Sequence, residues 1–151
     1  MRAHNSTLKP STKPMKRSPM KRRAPKAKPG KSNVLRSIEH RQNVASLPCA
    51  KCGIVGFSQA AHPNFNKGMG IKNCDSLAFP LCSDRPGVRG HHSLHDQGAL
   101  YTKEERPIRE WEHTDATRAQ LMRMNKWPAH VEAAYQRAIV PLARMVQGDG
   151  A

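Results

Sequence analysis

A group of cysteines and histidines between residues 49 and 96 constrains this chain more than any other feature. All four cysteines lie there, and the first two form the pair Cys49-x2-Cys52. Two thiolates on a tight turn can bind one tetrahedral ion, and Gly53 eases the turn after the second ligand. In a reducing compartment such a pair is more often a metal site than a disulfide. The spacing therefore predicts a structural Zn2+ site that includes Cys82.

The fourth ligand of this site is open between two residues. A simple zinc knuckle would place a cysteine three residues after Cys82, but Arg85 stands there. The chain instead inserts residues 84–90 before His91. We favour His91 as the fourth ligand and keep Cys74 as its rival.

A second set of residues has the chemistry of a catalytic ion site. His92 and Asp96 are spaced i and i+4, so on a helix they share one face and can hold one cation. Water and phosphate can occupy the remaining positions of such an ion. His62 follows a strand-like stretch, and a neutral imidazole there can deprotonate an attacking water. His95 is open between a third cation ligand, a phosphate contact and a surface residue.

Positive charge is concentrated at the N-terminus. The formal net charge is +15, and twelve lysines and arginines precede the first acidic residue, Glu39. Frequent proline and one-signed charge predict a disordered arm over residues 1–33. Such an arm binds phosphates by counterion release. The candidate nucleic-acid contacts are Lys13, Lys16, Arg17, Lys21, Arg22, Arg23, Lys26 and Lys28 in the arm, with Lys67 in a glycine-rich loop.

The rest of the chain predicts short elements around a small core. Aromatic content is 5%, and no apolar run is long enough to span a bilayer, so we expect a soluble, cytoplasmic protein that avoids membranes. Apolar spacing predicts a helix from Val34 to Ser46 and strands over 54–61 and 77–81. A second helix should follow the capping box Thr102–Glu105, and the residues expected on its inward face are Ile108, Trp111, Ala119, Leu121 and Met122. Another helix should begin at Pro128, and Pro141 should kink or end it.

Taken together, these motifs resemble the HNH, or ββα-metal (His-Me finger), endonucleases. The nearest likeness is to the small phage and prophage group and, more distantly, to the RecA-dependent Ref-type nuclease. The resemblance covers about residues 47–128. It rests on the strand ending in Ala61-His62, on Lys67-Gly-Met-Gly-Ile-Lys72, and on His91-His92-Ser-Leu-His-Asp96-Gln97-Gly98.

The resemblance implies a small α+β fold, with a zinc-stabilised ββα-metal core flanked by helices. Residues 34–128 would form the nuclease core, and residues 129–151 a C-terminal helix and frayed tail. It also implies hydrolysis of DNA in phage or prophage recombination or DNA processing, inside a bacterial host cell. A RecA filament on DNA is a candidate partner by the same resemblance.

Carried over residue by residue, the resemblance implies a role for each site residue. Cys49, Cys52, Cys82 and His91 would hold structural zinc. His92 and Asp96 would bind catalytic Mg2+ or Mn2+, with Zn2+ as a further candidate, and His62 would be the general base. Ala61 stands where the wider superfamily often has a metal ligand, so His62 is open between base and ligand. Two other function classes stay open: a non-catalytic zinc-binding DNA module and an RNA-binding protein.

Overall fold

The computed structural model describes residues 34–65 and 73–148, all within one unit, Lys31–Ala151. The predicted basic arm and Lys67 lie outside the described residues. The elements in chain order are α1 (Ile38–Ala45), β1 (Ser58–Ala61), a 3-10 turn (Asp75–Leu77), β2 (Phe79–Cys82), α2 (His91–Asp96), α3 (Glu105–Arg123), α4 (Ala129–Ala138) and α5 (Val140–Gln147).

The two strands pair antiparallel, with Ser58 opposite Cys82 and Ala61 opposite Phe79. Every residue of β2 is buried, as the apolar run over 77–81 predicts, whereas β1 buries only Ala61. Helix α2 follows β2 after a short loop and packs against it. This two-stranded sheet with its surrounding helices confirms the small α+β class.

Three groups of buried side chains form the core. The first lies on the sheet, where Phe79, Leu81 and Ala61 meet two of the cysteines. The second joins α1 to α3 through Val44 and Leu121. A third lies beneath α4 and contains Leu77, Cys74, Ala134 and Tyr135. Each large apolar side chain removed from water contributes about 1.5–3 kcal/mol to the free energy of unfolding. Because this core contains few such side chains, a bound metal ion could add substantially to the stability.

The first helix begins later than predicted. It starts at Ile38 instead of Val34, and Ser37 is its N-cap, with the hydroxyl accepting the N–H of His40 at 3.1 Å. The N–H of Ser37 donates to the Asp75 carboxylate at 2.8 Å. This contact with a residue far along the chain fixes Ser37 as the N-cap, and the side chain of Ile38 is left exposed.

The inward face of α3 is mainly polar, and of the predicted apolar stripe only Leu121 is fully buried among the described residues. Ile108 and Met122 are exposed, whereas Glu110, Thr114 and Thr117 are buried beside Leu121. Buried polar groups of this kind need partners. Thr114 donates to the carbonyl of Leu77 at 3.1 Å, and Glu110 accepts from α2 as described below. The spacing of apolar residues alone cannot reveal a helix face whose polar side chains are buried with hydrogen-bond partners.

The capping box before α3 forms as predicted. The N–H of Thr102 donates to the Glu105 carboxylate at 3.1 Å, and the N–H of Glu105 donates to the Thr102 hydroxyl at 3.2 Å. The helix predicted from Pro128 is interrupted beside Pro141, as expected, because α4 and α5 meet at Ile139. Pro141 lies in the first turn of α5, where its missing N–H costs nothing. Within the described ranges, no helix has the length and apolar character to cross a membrane.

Candidate metal centre and the polar network beside it

Four predicted ligands converge on one point. The ligand atoms of Cys49, Cys52, Cys82 and His91 all lie within 4.8 Å of one another. His91 Nδ1 is 3.3 Å from Cys82 Sγ and 3.6 Å from Cys49 Sγ. Tetrahedral Zn2+ with bonds of about 2.3 Å to sulfur and 2.0 Å to nitrogen spaces its ligand atoms about 3.5 Å apart. The cluster therefore fits an ion such as zinc, in both donor set and spacing.

The loop that carries the first two cysteines has the predicted turn. The N–H of Gly53 donates to the carbonyl of Cys49 at 2.7 Å, and Gly53 has a φ of +73°. The N–H of Cys49 donates to the carbonyl of Ile54 at 2.9 Å. These bonds close the chain around the pair, and a residue with a Cβ at position 53 would strain the turn.

The loop of residues 84–90 folds back so that His91 lies beside the end of β2. Asp84 accepts the N–H of Gly90 at 2.6 Å and the hydroxyl of Ser93 at 2.9 Å, which caps the start of α2. A Cβ on Gly90 would lie 2.3 Å from the carbonyl carbon of Ser83, so only glycine allows this close approach. The loop thereby brings His91 back to Cys82.

The rival ligand lies elsewhere. Cys74 is buried in the third core group, and its sulfur accepts a hydrogen bond from the Ser76 hydroxyl at 3.0 Å. It does not belong to the four-residue cluster. The geometry thus selects His91 over Cys74.

Backbone N–H groups lower the pKa of one thiol in the cluster. Burial raises the pKa of Cys49, but N–H groups of Cys52, Cys82 and Lys51 outweigh it and lower the pKa to about 6. Cys49 is therefore mainly thiolate at neutral pH, which is the metal-binding form. Burial raises the pKa of Cys82, and the neighbouring thiols add to that rise. A cation at the centre of the cluster would offset the repulsion between the thiolates.

A network of histidines and carboxylates lies at the end of β1. His62 Nε2 is 2.9 Å from the Oδ1 atom of Asp75. Asp75 is buried and also lies near two guanidinium groups, at 3.3 Å from Arg36 and 3.4 Å from Arg41. Burial acts to raise the pKa of Asp75, but the His62 hydrogen bond, the Ser37 N–H and the Arg41 charge lower it.

The state of Asp75 determines the tautomer of His62. An ionised carboxylate only accepts hydrogen bonds, so Nε2 of His62 donates and Nδ1 retains its lone pair. This arrangement orients the ring from one side and leaves a basic nitrogen on the other. Asp75 was not among the predicted site residues. Its only sequence signal is an acidic residue two positions before the apolar run over 77–81.

His95 takes part in a separate buried contact. Its Nε2 lies 2.9 Å from Glu110 Oε1, and the same oxygen accepts the N–H of Asn64 at 2.8 Å. The Asn64 amide donates to the carbonyl of His95 at 2.8 Å. His95 is 1% exposed, which leaves no path for water or substrate to an ion on its ring. This placement favours a structural link between α2 and α3 over the predicted cation contact, and sequence reasoning also missed Glu110.

His92 and Asp96 lie on one face of α2, as their spacing predicts. His92 Nδ1 is 3.5 Å from Asp96 Oδ2, and the Asp96 side chain is 50% exposed. Among residues 34–65 and 73–148, the cysteine cluster is the one group of three or more potential ligands that come together. His92 and Asp96 therefore offer two ligands, and His62 binds Asp75 instead of joining them.

Comparison with known proteins does not assign this chain to a family. A scan of protein-family models, a search of curated proteins and a search of solved structures each found no match.

Proposed function

We propose that this chain is a metal-dependent endodeoxyribonuclease of the HNH type. The observation that carries the proposal is the His62–Asp75 pair at the end of β1, beside β2 and α2, which contribute Cys82 and His91 to the Cys3His cluster. An imidazole oriented by a buried carboxylate is the arrangement that hydrolases use to activate a nucleophile.

His62 acts as the general base in this proposal. Its Nδ1 accepts the proton of the water that attacks the scissile phosphorus, while its Nε2–H continues to donate a hydrogen bond to the Asp75 carboxylate. The Asp75 carboxylate then stabilises the imidazolium that forms. Arg36 and Arg41 keep that carboxylate ionised when His62 is neutral. A base within reach of water contributes about 10²–10⁴ in rate.

His92 and Asp96 would hold the catalytic cation, Mg2+ or Mn2+, on the outer face of α2. Two protein ligands suit a hard cation that keeps several waters and shares substrate phosphate oxygens. A bound cation there would supply Lewis-acid stabilisation of the charge that develops on the phosphate and on the leaving 3′ oxygen. The half-exposed Asp96 carboxylate leaves room for both water and substrate.

DNA is the proposed substrate, and the basic arm is the proposed source of most of its affinity. The strong positive charge supports a polyanionic partner. Phage or prophage recombination in a bacterial host cell, with a RecA filament on the DNA, is the proposed setting. It rests on the resemblance of the His92-x3-Asp96 and Ala61-His62 motifs.

Plasmid nicking by zinc-loaded protein tests the proposal, with Mg2+, with Mn2+, and with no added divalent ion. The test variants are His62→Ala, His92→Ala and Asp96→Asn, and Glu112→Gln is the control for an exposed carboxylate. We expect nicking that needs Mg2+ or Mn2+, falls at least about 100-fold in each test variant, and is unchanged in the control.

The same assay distinguishes the two other function classes. Tight DNA binding without nicking on duplex, branched, single-stranded or RecA-coated DNA would favour a zinc-binding DNA module. The two-ligand set of α2 is the observation that favours this alternative. Preference for structured RNA, unaffected by the three test variants, would favour an RNA-binding protein.

A further inference from the structure

A cavity of about 280 Å³ lies beside the first turns of α1 and α4, away from the cysteine cluster. It has room for a phosphate-sized ion with several waters, since one water takes up about 30 Å³. The residues that line it are mainly polar: Ser37, Glu39, His40, Asn43, Asn125, Lys126, Pro128, His130 and Val131.

His40 is the most unusual part of this lining. Its side chain is 2% exposed, and neither ring nitrogen makes a hydrogen bond with the described part of the chain. The edge of the ring packs against Trp127, with 5.2 Å between ring centroids. The backbone of Asp75 lies near enough to favour the charged form of the ring, but it does not meet the geometry of a hydrogen bond to either nitrogen. A buried polar ring without partners is costly, so its position at a cavity indicates a ligand.

The start of α4 adds donors to the same cavity. The first N–H groups of a helix have no acceptor within the helix, and Pro128, which precedes α4, provides no side-chain cap. Pro128, His130 and Val131 all line the cavity. The positive end of the helix dipole thus lies beside the buried ring of His40.

Charge selects the kind of ligand. Lys126 carries a positive charge, and the ring of His130 and the amides of Asn43 and Asn125 can donate hydrogen bonds. Glu39 is the single carboxylate in the lining, and it is exposed to solvent. His40, His130 and Glu39 do not form a metal-ligand group in the described ranges. The balance favours an oxyanion over a cation.

We infer that this cavity is a phosphate-binding site formed by His40, Lys126 and the N-terminus of α4. The phosphate is either free or part of a nucleic-acid strand, because both present the same oxygens. Burial lowers the pKa of His40, partly offset by Asp75, and a bound anion would act in the direction of Asp75. The inference does not depend on the nuclease proposal, since it requires binding and no cleavage.

NMR spectroscopy of the zinc-loaded, isotope-labelled full chain tests this site residue by residue, so phosphate binding by the basic arm does not interfere. Inorganic phosphate is titrated against chloride at constant ionic strength. We expect saturable shifts of the His40 ring signals and of the Ala129 and His130 N–H signals. A second titration uses a dinucleotide with one phosphodiester. Saturation by both ligands identifies strand phosphate as an accepted source, and saturation by inorganic phosphate alone identifies free phosphate.

Surface variants keep the test independent of folding, because His40 itself is buried. Lys126→Ala should weaken phosphate binding about tenfold, and the exposed control Lys103→Ala should not change it. Glu39→Gln should tighten binding roughly twofold to threefold, because a repelling charge is removed. The inference is overturned if neither ligand gives saturable shifts at these positions, if the two lysine variants behave alike, or if Glu39→Gln weakens binding.

Discussion

The cysteine cluster and the histidine–carboxylate network are both polar groups in a small core, but they are assembled differently. The cluster draws two ligands from the loop before β1, one from the end of β2 and one from the start of α2, and their donor atoms lie close together. The network instead joins side chains in pairs, His62 with Asp75 and His95 with Glu110. In the cluster, thiols face thiols and an imidazole. In the network, each histidine faces a carboxylate.

This difference determines what each region needs. Thiolates within 4.8 Å of one another repel, and a bound cation would offset that repulsion. In the network, Nε2 of each histidine already has a carboxylate partner at 2.9 Å, so these contacts do not depend on a metal ion. Loss of an ion should therefore destabilise the cluster and leave the paired contacts of the network in place.

Removal of zinc should have the largest effect. Structural zinc in small domains has an apparent binding free energy of about 10–16 kcal/mol, part of which here stabilises an existing core. We expect one zinc per chain, and a loss of several kcal/mol in the free energy of unfolding for Cys82→Ser. Zinc content and urea unfolding measure this.

Cys74→Ser is the matched control, because Cys74 is also a buried thiol but contacts Ser76. It should retain one zinc per chain. Equal zinc loss in the two variants would show that Cys74 takes part in the site and that the four-residue cluster is incomplete.

Glu110→Ala should have the next largest effect. It leaves His95 Nε2 and the N–H of Asn64 without their shared acceptor inside the core. A buried polar group left without its hydrogen-bond partner costs about 1–3 kcal/mol, and this variant affects two such groups. Urea unfolding with zinc bound measures the loss. Glu112→Ala, in an exposed pair with Arg109, should cost less than about 1 kcal/mol. A similar loss in both variants would contradict the paired network.

The two regions also differ in how far the sequence predicts them. Cys49, Cys52, Cys82 and His91 are recognisable because closely spaced thiols are uncommon and have few other uses. Asp75 and Glu110 are not, because single acidic residues are usually exposed, and only the packing of α1 and α3 buries them. The start of α1 was misplaced for the same reason, since it depends on Asp75, far away in the chain. Local signals such as the Thr102–Glu105 box were read correctly because both partners lie within one turn.

Asp75→Asn tests the network at its catalytic end. The amide can donate to His62, which would favour the other tautomer and remove the lone pair from Nδ1. We expect DNA nicking to fall at least about tenfold, zinc content to stay at one, and the free energy of unfolding to fall by about 1–3 kcal/mol. Full nicking activity in a folded Asp75→Asn protein would exclude the proposed orientation of His62.

The pH dependence of that variant gives an independent check. The pKa of Asp75 is lowered in the folded protein, so its contribution to stability is present above the unfolded pKa of about 3.9. It is lost as the pH falls through the lower, folded value. The difference in unfolding free energy between wild type and Asp75→Asn should therefore shrink in acid. A difference that stays constant from neutral pH to acid would contradict an ionised Asp75.

The smallest effect should come from a partly exposed pair outside both regions. Arg118 binds Glu132 from α3 to α4 at 2.6 Å and 2.8 Å and lowers the pKa of Glu132 to about 2 from an ordinary 4.5. About a quarter of each side chain is exposed, so solvent screening limits the contribution to about 1 kcal/mol. Because the pKa is depressed, that stability is present above pH 4.5 and is lost as the pH falls towards 2. Glu132→Gln should thus destabilise the protein at pH 7 and have little effect near pH 2, as measured by urea unfolding. A loss of unfolding free energy as large as that of Glu110→Ala would contradict the view that buried pairs stabilise the protein more than partly exposed ones.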